Sequence, residues 1–254
     1  VVDHITREEF ESRFRHKAPV LLRGFASRWP ALAVWRDPET FASALEEDVL
    51  VLRSRDGQRF LSADCEREQR PHGEVVRSLM AEGAERERVY ARAPLSGALC
   101  DAVDLAPLRA LMGGRAPNPA CCSVWIGHAG NVTPFHYDLC HGFLAQTHGR
   151  KTFTLAPPED YRRLYPRPGR PELSRVDFEA ALEGGASAAG REEARRRPRF
   201  AEASLRAVDV CEGDVLYTPP FWWHHVATAA DAPAVSVLVP FDPEAHEPVH
   251  PCHL

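Results

Sequence analysis

The pattern of apolar and polar positions changes character near residue 89. Before it, short apolar runs alternate with helix signals. Thr6-Arg7-Glu8-Glu9 fits a capping box that opens a helix through about His16. Pro19 to Gly24 is a brief apolar run ended by glycine, hence a strand. Asp37-Pro38 places an N-cap before a first-turn proline and starts a helix to about Glu46. Val49–Leu52 and Gln58–Leu61 form a predicted strand pair around a turn at Asp56-Gly57. Gly73 to Gly83 suits a helix.

From Val89 onward the chain becomes strand-rich. Val89–Arg92, Cys121–Gly127, Thr133–Tyr137, Gly142–Thr147, Lys151–Leu155, Asp214–Thr218 and Val235–Val239 are the predicted strands, with a turn at His148-Gly149-Arg150. Residues 157–203 interrupt them with an insertion rich in Arg, Glu, Pro and Ala, expected as short helices and loops on the surface. No repeat and no linker divides the chain. The expected organisation is one domain over 1–254: a helical and strand extension over 1–88, packed on a core over 89–242. Antiparallel strands behind a helical start predict a mainly β protein with flanking helices, a double-stranded β-helix or jelly-roll barrel of the cupin type.

Composition narrows the class only a little. The 31 basic and 36 acidic residues leave a formal charge of −5, which gives no support for a mainly electrostatic grip on nucleic acid. No apolar run approaches the ~20 residues that cross a bilayer. Seven cysteines without regular spacing read as reduced thiols, pointing to the cytoplasm.

The chemistry concentrates in two motifs, Thr133-Pro134-Phe135-His136-Tyr137-Asp138 and Phe221-Trp222-Trp223-His224-His225. On a strand, residues two apart point the same way, so His136 and Asp138 present an imidazole and a carboxylate side by side. A second imidazole from a distant strand completes two His and one carboxylate on one face of a metal, with the other face open, as in non-haem Fe(II) oxygenases. His224 follows Asp138 by 86 residues, a gap that a jelly roll closes. The same donors also suit Mn, Co, Ni or Zn.

Gly130 to Asp138, Phe143-Leu144-Ala145-Gln146, Gly149-Arg150-Lys151 and the stretch from Gly213 to His225 resemble the Jumonji C oxygenases, and among these the asparaginyl hydroxylases. The resemblance covers roughly residues 4–242, densely over 120–165 and 211–226. It implies a jelly-roll core, Fe(II), O2, and 2-oxoglutarate as co-substrate, with hydroxylation coupled to oxidative decarboxylation. Residue by residue, it implies His136, Asp138 and His224 as metal ligands and catalytic centre. Lys151 is implied to pair the distal carboxylate of 2-oxoglutarate, with Thr133 and Tyr90 beside it. A buried dicarboxylate needs such a cation and donors. The chain departs from the pattern at Gly142 and Pro240, where many relatives carry asparagine near the co-substrate.

Other residues have plainer expected roles. Alternation turns His225 away from the site. His128, His141 and His148 are expected in solvent or just behind the ligands, with Trp125 and Phe135 in the core. Trp222 and Trp223 are expected to pack on the barrel. Arg195–Arg197 read as a solvated face. Three functions compete. The leading one is a hydroxylase of a protein or peptide side chain. A second takes a modified tRNA nucleoside or a small molecule. The third is a metal- or metabolite-binding cupin without catalysis. Neither a membrane nor an oligomeric state is indicated.

Overall fold

The strands predicted from Val89 onward assemble with others into two facing antiparallel sheets. The computed structural model describes residues 1–61, 63–80, 87–245 and 247. Among the described residues, fourteen strands run in chain order: β1 (Val20–Leu22), β2 (Asp48–Arg53), β3 (Glu66–Pro71), β4 (Tyr90–Pro94), β5 (Ser123–Gly127), β6 (Val132–His136), β7 (His141–His148), β8 (Lys151–Ala156), β9 (Pro166–Arg167), β10 (Arg170–Ser174), β11 (Arg206–Val210), β12 (Val215–Thr218), β13 (Trp223–Thr228) and β14 (Ala234–Phe241). The larger sheet has the order β1-β12-β7-β14-β5-β4-β2-β3, the smaller β11-β8-β13-β6-β10-β9. Strands distant in sequence are neighbours in both, which is the double-stranded β-helix arrangement. The apolar positions alternate inward, and the main core lies between the large sheet and the N-terminal helices, around Phe10, Trp35, Phe41, Phe143 and Tyr217.

The N-terminal third is woven into the large sheet. β1 closes one edge against β12, and β2, β3 and β4 continue the other edge beyond β5. Thr6 caps the first helix, its Oγ1 accepting from Glu9 N at 3.1 Å; the Glu9 carboxylate of the expected capping box instead pairs with Arg13, where the helix ends. Asp37 caps a helix that stops at Ala42, short of Glu46. The predicted helix from Gly73 runs His72–Met80; residues 81–83 lie outside the described residues.

Two expectations fail. Gln58–Leu61 is no strand partner of β2, whose partner is β3, Glu-Arg-Glu-Gln-Arg-Pro. That edge strand carries no apolar alternation because it faces solvent on both sides, and Arg53–Glu68 tethers it across the ladder. The 58–61 segment instead docks on β6, with Phe60 N donating to Val132 O at 2.7 Å and Val132 N to Gln58 O at 2.8 Å. The insertion is also not wholly superficial. β10 joins β6 in the small sheet, and Leu164, Leu173 and Phe178 are buried. Arg195–Arg197 do form a charged face, paired with Glu192 and Glu193.

Candidate metal and co-substrate site

His136 and His224 are direct register partners on β6 and β13, and their ring centroids lie 4.1 Å apart. β6 ends at His136, so Asp138 sits two residues beyond the strand. Its position is set from both sides: Tyr137 N donates to Glu172 O at 3.0 Å, and Phe221 N donates to Asp138 O at 2.8 Å. Phe221 adopts a left-handed φ of 67°, and that bend delivers the start of β13 beside Asp138. His224 Nε2 and Asp138 Oδ2 are 3.8 Å apart, and one donor atom from each of the three residues falls within 4.8 Å of the others.

The imidazoles are oriented by the backbone. His136 Nδ1 lies 2.9 Å from Pro134 O, and His224 Nδ1 lies 3.0 Å from Trp222 O. A carbonyl only accepts, so each Nδ1 carries the proton and each Nε2 presents its lone pair to the common centre. Burial, with the adjacent His136 adding to it, pushes the His224 imidazole down to about 4, so it is neutral at physiological pH. The donor set and its open side therefore fit a divalent transition metal of the Fe(II) type.

The triad lines one end of a cavity of about 300 Å³. Lys151, Tyr90 and Thr133 line the same cavity, so all six residues singled out in the sequence come together. Lys151 is 1% exposed, although lysine is almost never buried without a partner. Its Nζ donates to Tyr90 Oη at 3.2 Å, and Tyr90 shares a hydrogen bond with Thr133. No carboxylate pairs with it among the described residues, and burial pushes the ammonium down to about 7. Burial likewise raises the Tyr90 phenol, which stays protonated.

Sequence reasoning missed several wall residues. Trp125, expected in the core, lines the cavity and packs on Tyr90 at 4.7 Å. Phe60 and Leu61 arrive from the 58–61 segment, and Arg170, Glu172 and Leu173 from β10. Arg59 anchors that first segment: it pairs with Asp177 at 2.9 Å and Glu179 at 3.4 Å, and Glu179 in turn meets His225 Nε2 at 2.6 Å. His225 is thus turned away from the site and structural, as alternation requires. Trp223 packs on Tyr137. His128 is buried and hydrogen-bonds Gly57 O at 2.9 Å, and His141 is fully buried on the other face of β7, so neither is solvated or behind the ligands. Gly142 lines the cavity, and a Cβ there would meet nothing nearer than 3.8 Å. Its register partner on β14 is Pro240.

Comparisons with known proteins agree with the fold. The family model for the cupin-like domain matches residues 6–246. Jumonji C domain-containing protein 5 of Drosophila melanogaster is 28% identical over 252 residues, covering 93% of this chain and 58% of that protein. Lysine-specific demethylase JMJ30 of Arabidopsis thaliana is 25% identical over 224 residues, covering 86% of this chain and 49% of that protein. This chain therefore spans about half the length of these two relatives. Among solved structures, Escherichia coli YcfD superposes with a TM-score of 0.59 at 16% identity, over 95% of this chain and 54% of that one. A structure of the same ribosomal oxygenase with cobalt and 2-oxoglutarate gives 0.57 at 16% identity, over 95% and 53%. At such identities the likeness is one of fold.

Proposed function

This chain belongs to the cupin-like domain family with its Jumonji C members, and on that footing we propose that it is an Fe(II)- and 2-oxoglutarate-dependent hydroxylase acting on a protein or peptide side chain. The observation that carries the reading is Lys151: a fully buried lysine without a carboxylate partner among the described residues, in one cavity with a His/Asp/His triad. A structural lysine is not left in that state, because an unpaired buried charge costs several kcal/mol. A dicarboxylate ligand removes the cost.

His136, Asp138 and His224 would hold the metal from one side through two Nε2 atoms and one carboxylate oxygen. The metal, when bound, supplies O2 activation driven by decarboxylation of the co-substrate. The chain's own residues do the rest. Lys151 Nζ takes the distal carboxylate, and the Tyr90 and Thr133 hydroxyls add hydrogen bonds. Phe60, Trp125 and Phe153 keep water from its methylene groups, while Leu144, Leu216 and Leu238 form the opposite wall. Arg170, paired to Glu172, lines the cavity with mixed charge, and Leu139, next in sequence to Asp138, is 57% exposed. Mixed charge with an exposed apolar side chain nearby suits a peptide better than a polyanion. The names of the relatives, a lysine-specific demethylase and a ribosomal oxygenase, support a macromolecular substrate.

Iron-loaded protein incubated with 2-oxoglutarate and peptide pools tests the reading through succinate release and a gain of one oxygen in peptide mass. Succinate above the His136→Ala background is expected. Tight 2-oxoglutarate binding without turnover on any pool refutes catalysis and leaves a binding protein.

A further inference from the structure

A second cluster of metal-type donors lies on the opposite face of the large sheet. His141 and Gly142 are adjacent on β7, so one faces the cavity and the other faces away. Beyond the sheet, His141 meets His16, from the turn after the first helix, and Glu247, from the segment after β14. One donor atom from each lies within 4.8 Å of the others. His16 Nε2 is 2.9 Å from Glu247 Oε1, and His141 Nε2 is 3.1 Å from Glu247 Oε2.

We propose that His16, His141 and Glu247 form a second, structural site for a divalent metal ion of the zinc class. Two imidazoles and a carboxylate are zinc donors at ~2.0–2.2 Å, which places donors around one tetrahedral ion roughly 3.3 Å apart. The observed separations are close to that, and tighter than the 3.8 Å between His224 and Asp138 in the first triad. The His16 Nε2 atom is buried and close to the carboxylate, yet lacks the alignment of a hydrogen bond. An ion between them satisfies both. His16 is held there at a left-handed φ of 60°, a conformation that is uncommon outside glycine. His141 is steadied by Tyr217 Oη, 2.8 Å from its Nδ1. Without an ion, Nε2 hydrogen-bonds Glu247 Oε2 at 3.1 Å; a bound ion would take the place of that proton, with Tyr217 Oη then accepting from Nδ1–H, the outer contact usual for metal-binding imidazoles.

Arg15 and Arg115 are the competing cations, 2.5 Å and 3.8 Å from Glu247 Oε1. Arg15 also reaches Glu11 at 2.9 Å and Glu244 at 3.6 Å, and Arg115 reaches Glu244 at 3.3 Å, so both guanidiniums keep carboxylate partners when an ion takes Glu247. A bound ion would pin three pieces of chain: the turn after the first helix, the segment after β14, and the start of β7, three residues beyond Asp138. The site is separate from the triad, so each can be tested without the other.

The test uses the chelator-stripped chain of 254 residues, Zn²⁺ for stoichiometry by equilibrium dialysis and Co²⁺ for visible absorption. The wild type is expected to bind two ions per chain. His136→Ala/Asp138→Ala should keep one, with a tetrahedral-type Co²⁺ spectrum. Adding His16→Ala or Glu247→Gln to that background should weaken the remaining ion at least tenfold and remove the spectrum. Because the tail carries further donor types in its sequence (His246, His250, Cys252 and His253), point variants are used and not truncation. His16 is partly exposed, so His16→Ala is the variant least able to disturb folding, with circular dichroism as the check. The proposal is overturned if His136→Ala/Asp138→Ala abolishes all binding, or if the remaining ion is indifferent to both further substitutions. An ion that survives the first pair and is lost with His16→Ala alone in otherwise wild-type protein upholds this site and removes the first.

Discussion

Lys151→Met should stabilise the ligand-free protein while removing its 2-oxoglutarate binding. Burial lowers the lysine from its ordinary 10.5 to about 7. At ~1.36 kcal/mol per pH unit, that difference corresponds to roughly 5 kcal/mol of cost for holding the charge in the folded state. Methionine has similar length and no charge, and its thioether suits the aromatic wall. The lost hydrogen bond to Tyr90 takes back about 1 kcal/mol. The net gain is about 3–4 kcal/mol near pH 7. The sign follows from proton binding. Between pH 7 and 10.5 the unfolded chain holds a proton on this lysine that the folded chain has released, so wild-type stability rises through that window. The advantage of the variant is therefore largest at or below pH 7 and disappears near pH 10.5. Urea unfolding of metal-free wild type and variant at pH 7, 8.5 and 10 measures it, alongside calorimetric titration with 2-oxoglutarate. A variant less stable than wild type at pH 7, or a difference that does not shrink as pH rises, would refute the reasoning.

The same lysine sets the pH dependence of ligand binding: the protonated form takes the carboxylate, so the affinity for 2-oxoglutarate should fall by up to tenfold per pH unit above about 7, as read by titration calorimetry. His224→Ala removes one of the three donors and should abolish metal-dependent turnover, with metal affinity by competition titration falling at least 100-fold. Glu179→Ala removes one of the carboxylates holding Arg59, leaving Asp177, and strands His225, so it should destabilise by about 1–3 kcal/mol in urea and raise the KM for 2-oxoglutarate more than it lowers kcat. Gly149→Ala should cost at least about 2 kcal/mol, because φ is +69° and the new Cβ would sit 2.4 Å from Pro233 O; Gly142→Ala, with no neighbour nearer than 3.8 Å, should cost under about 1 kcal/mol.

What the sequence made legible was local. His136 and Asp138 are two residues apart, a spacing that suggests one side; since the strand ends at His136, the bonds of Tyr137 N to Glu172 O and Phe221 N to Asp138 O complete the placement. Lys151 opens a strand whose next inward residues are Phe153 and Leu155, so its burial was readable. The unreadable parts depend on pairings between distant segments. β3 is an edge strand whose polar residues follow no burial alternation. Gln58–Leu61 has the composition of a strand, but its hydrogen bonds go to Val132, more than seventy residues away, because the Asp56 carboxylate caps the turn before it and redirects the chain. The His16–His141–Glu247 cluster joins residues separated by more than a hundred positions. No periodicity marks such a meeting, and His141 reads locally as one more residue flanking a strand.

The departures at Gly142 and Pro240 acquire a meaning from register that they lack in sequence. β12, β7 and β14 pair so that Leu216, Leu144 and Leu238 form one row across the sheet, and Thr218, Gly142 and Pro240 form the next. The two positions are thus neighbours in a single row, and a change at one alters the surroundings of the other. Proline contributes no backbone N–H, and glycine contributes no side chain, so this row meets the cavity with Thr218 as its one polar side chain. Polar contact to a ligand is therefore concentrated on the opposite sheet and on β4, where Lys151, Thr133 and Tyr90 stand together. Away from Tyr90 and Trp125, the large sheet offers Thr218, leucine and open space. A dicarboxylate bound here is held chiefly by its distal end and by the metal, with an apolar surface along its length. Affinity in this cavity should then rest more heavily on Lys151 than it would if both walls supplied donors, which is why Lys151→Met is expected to separate stability from binding.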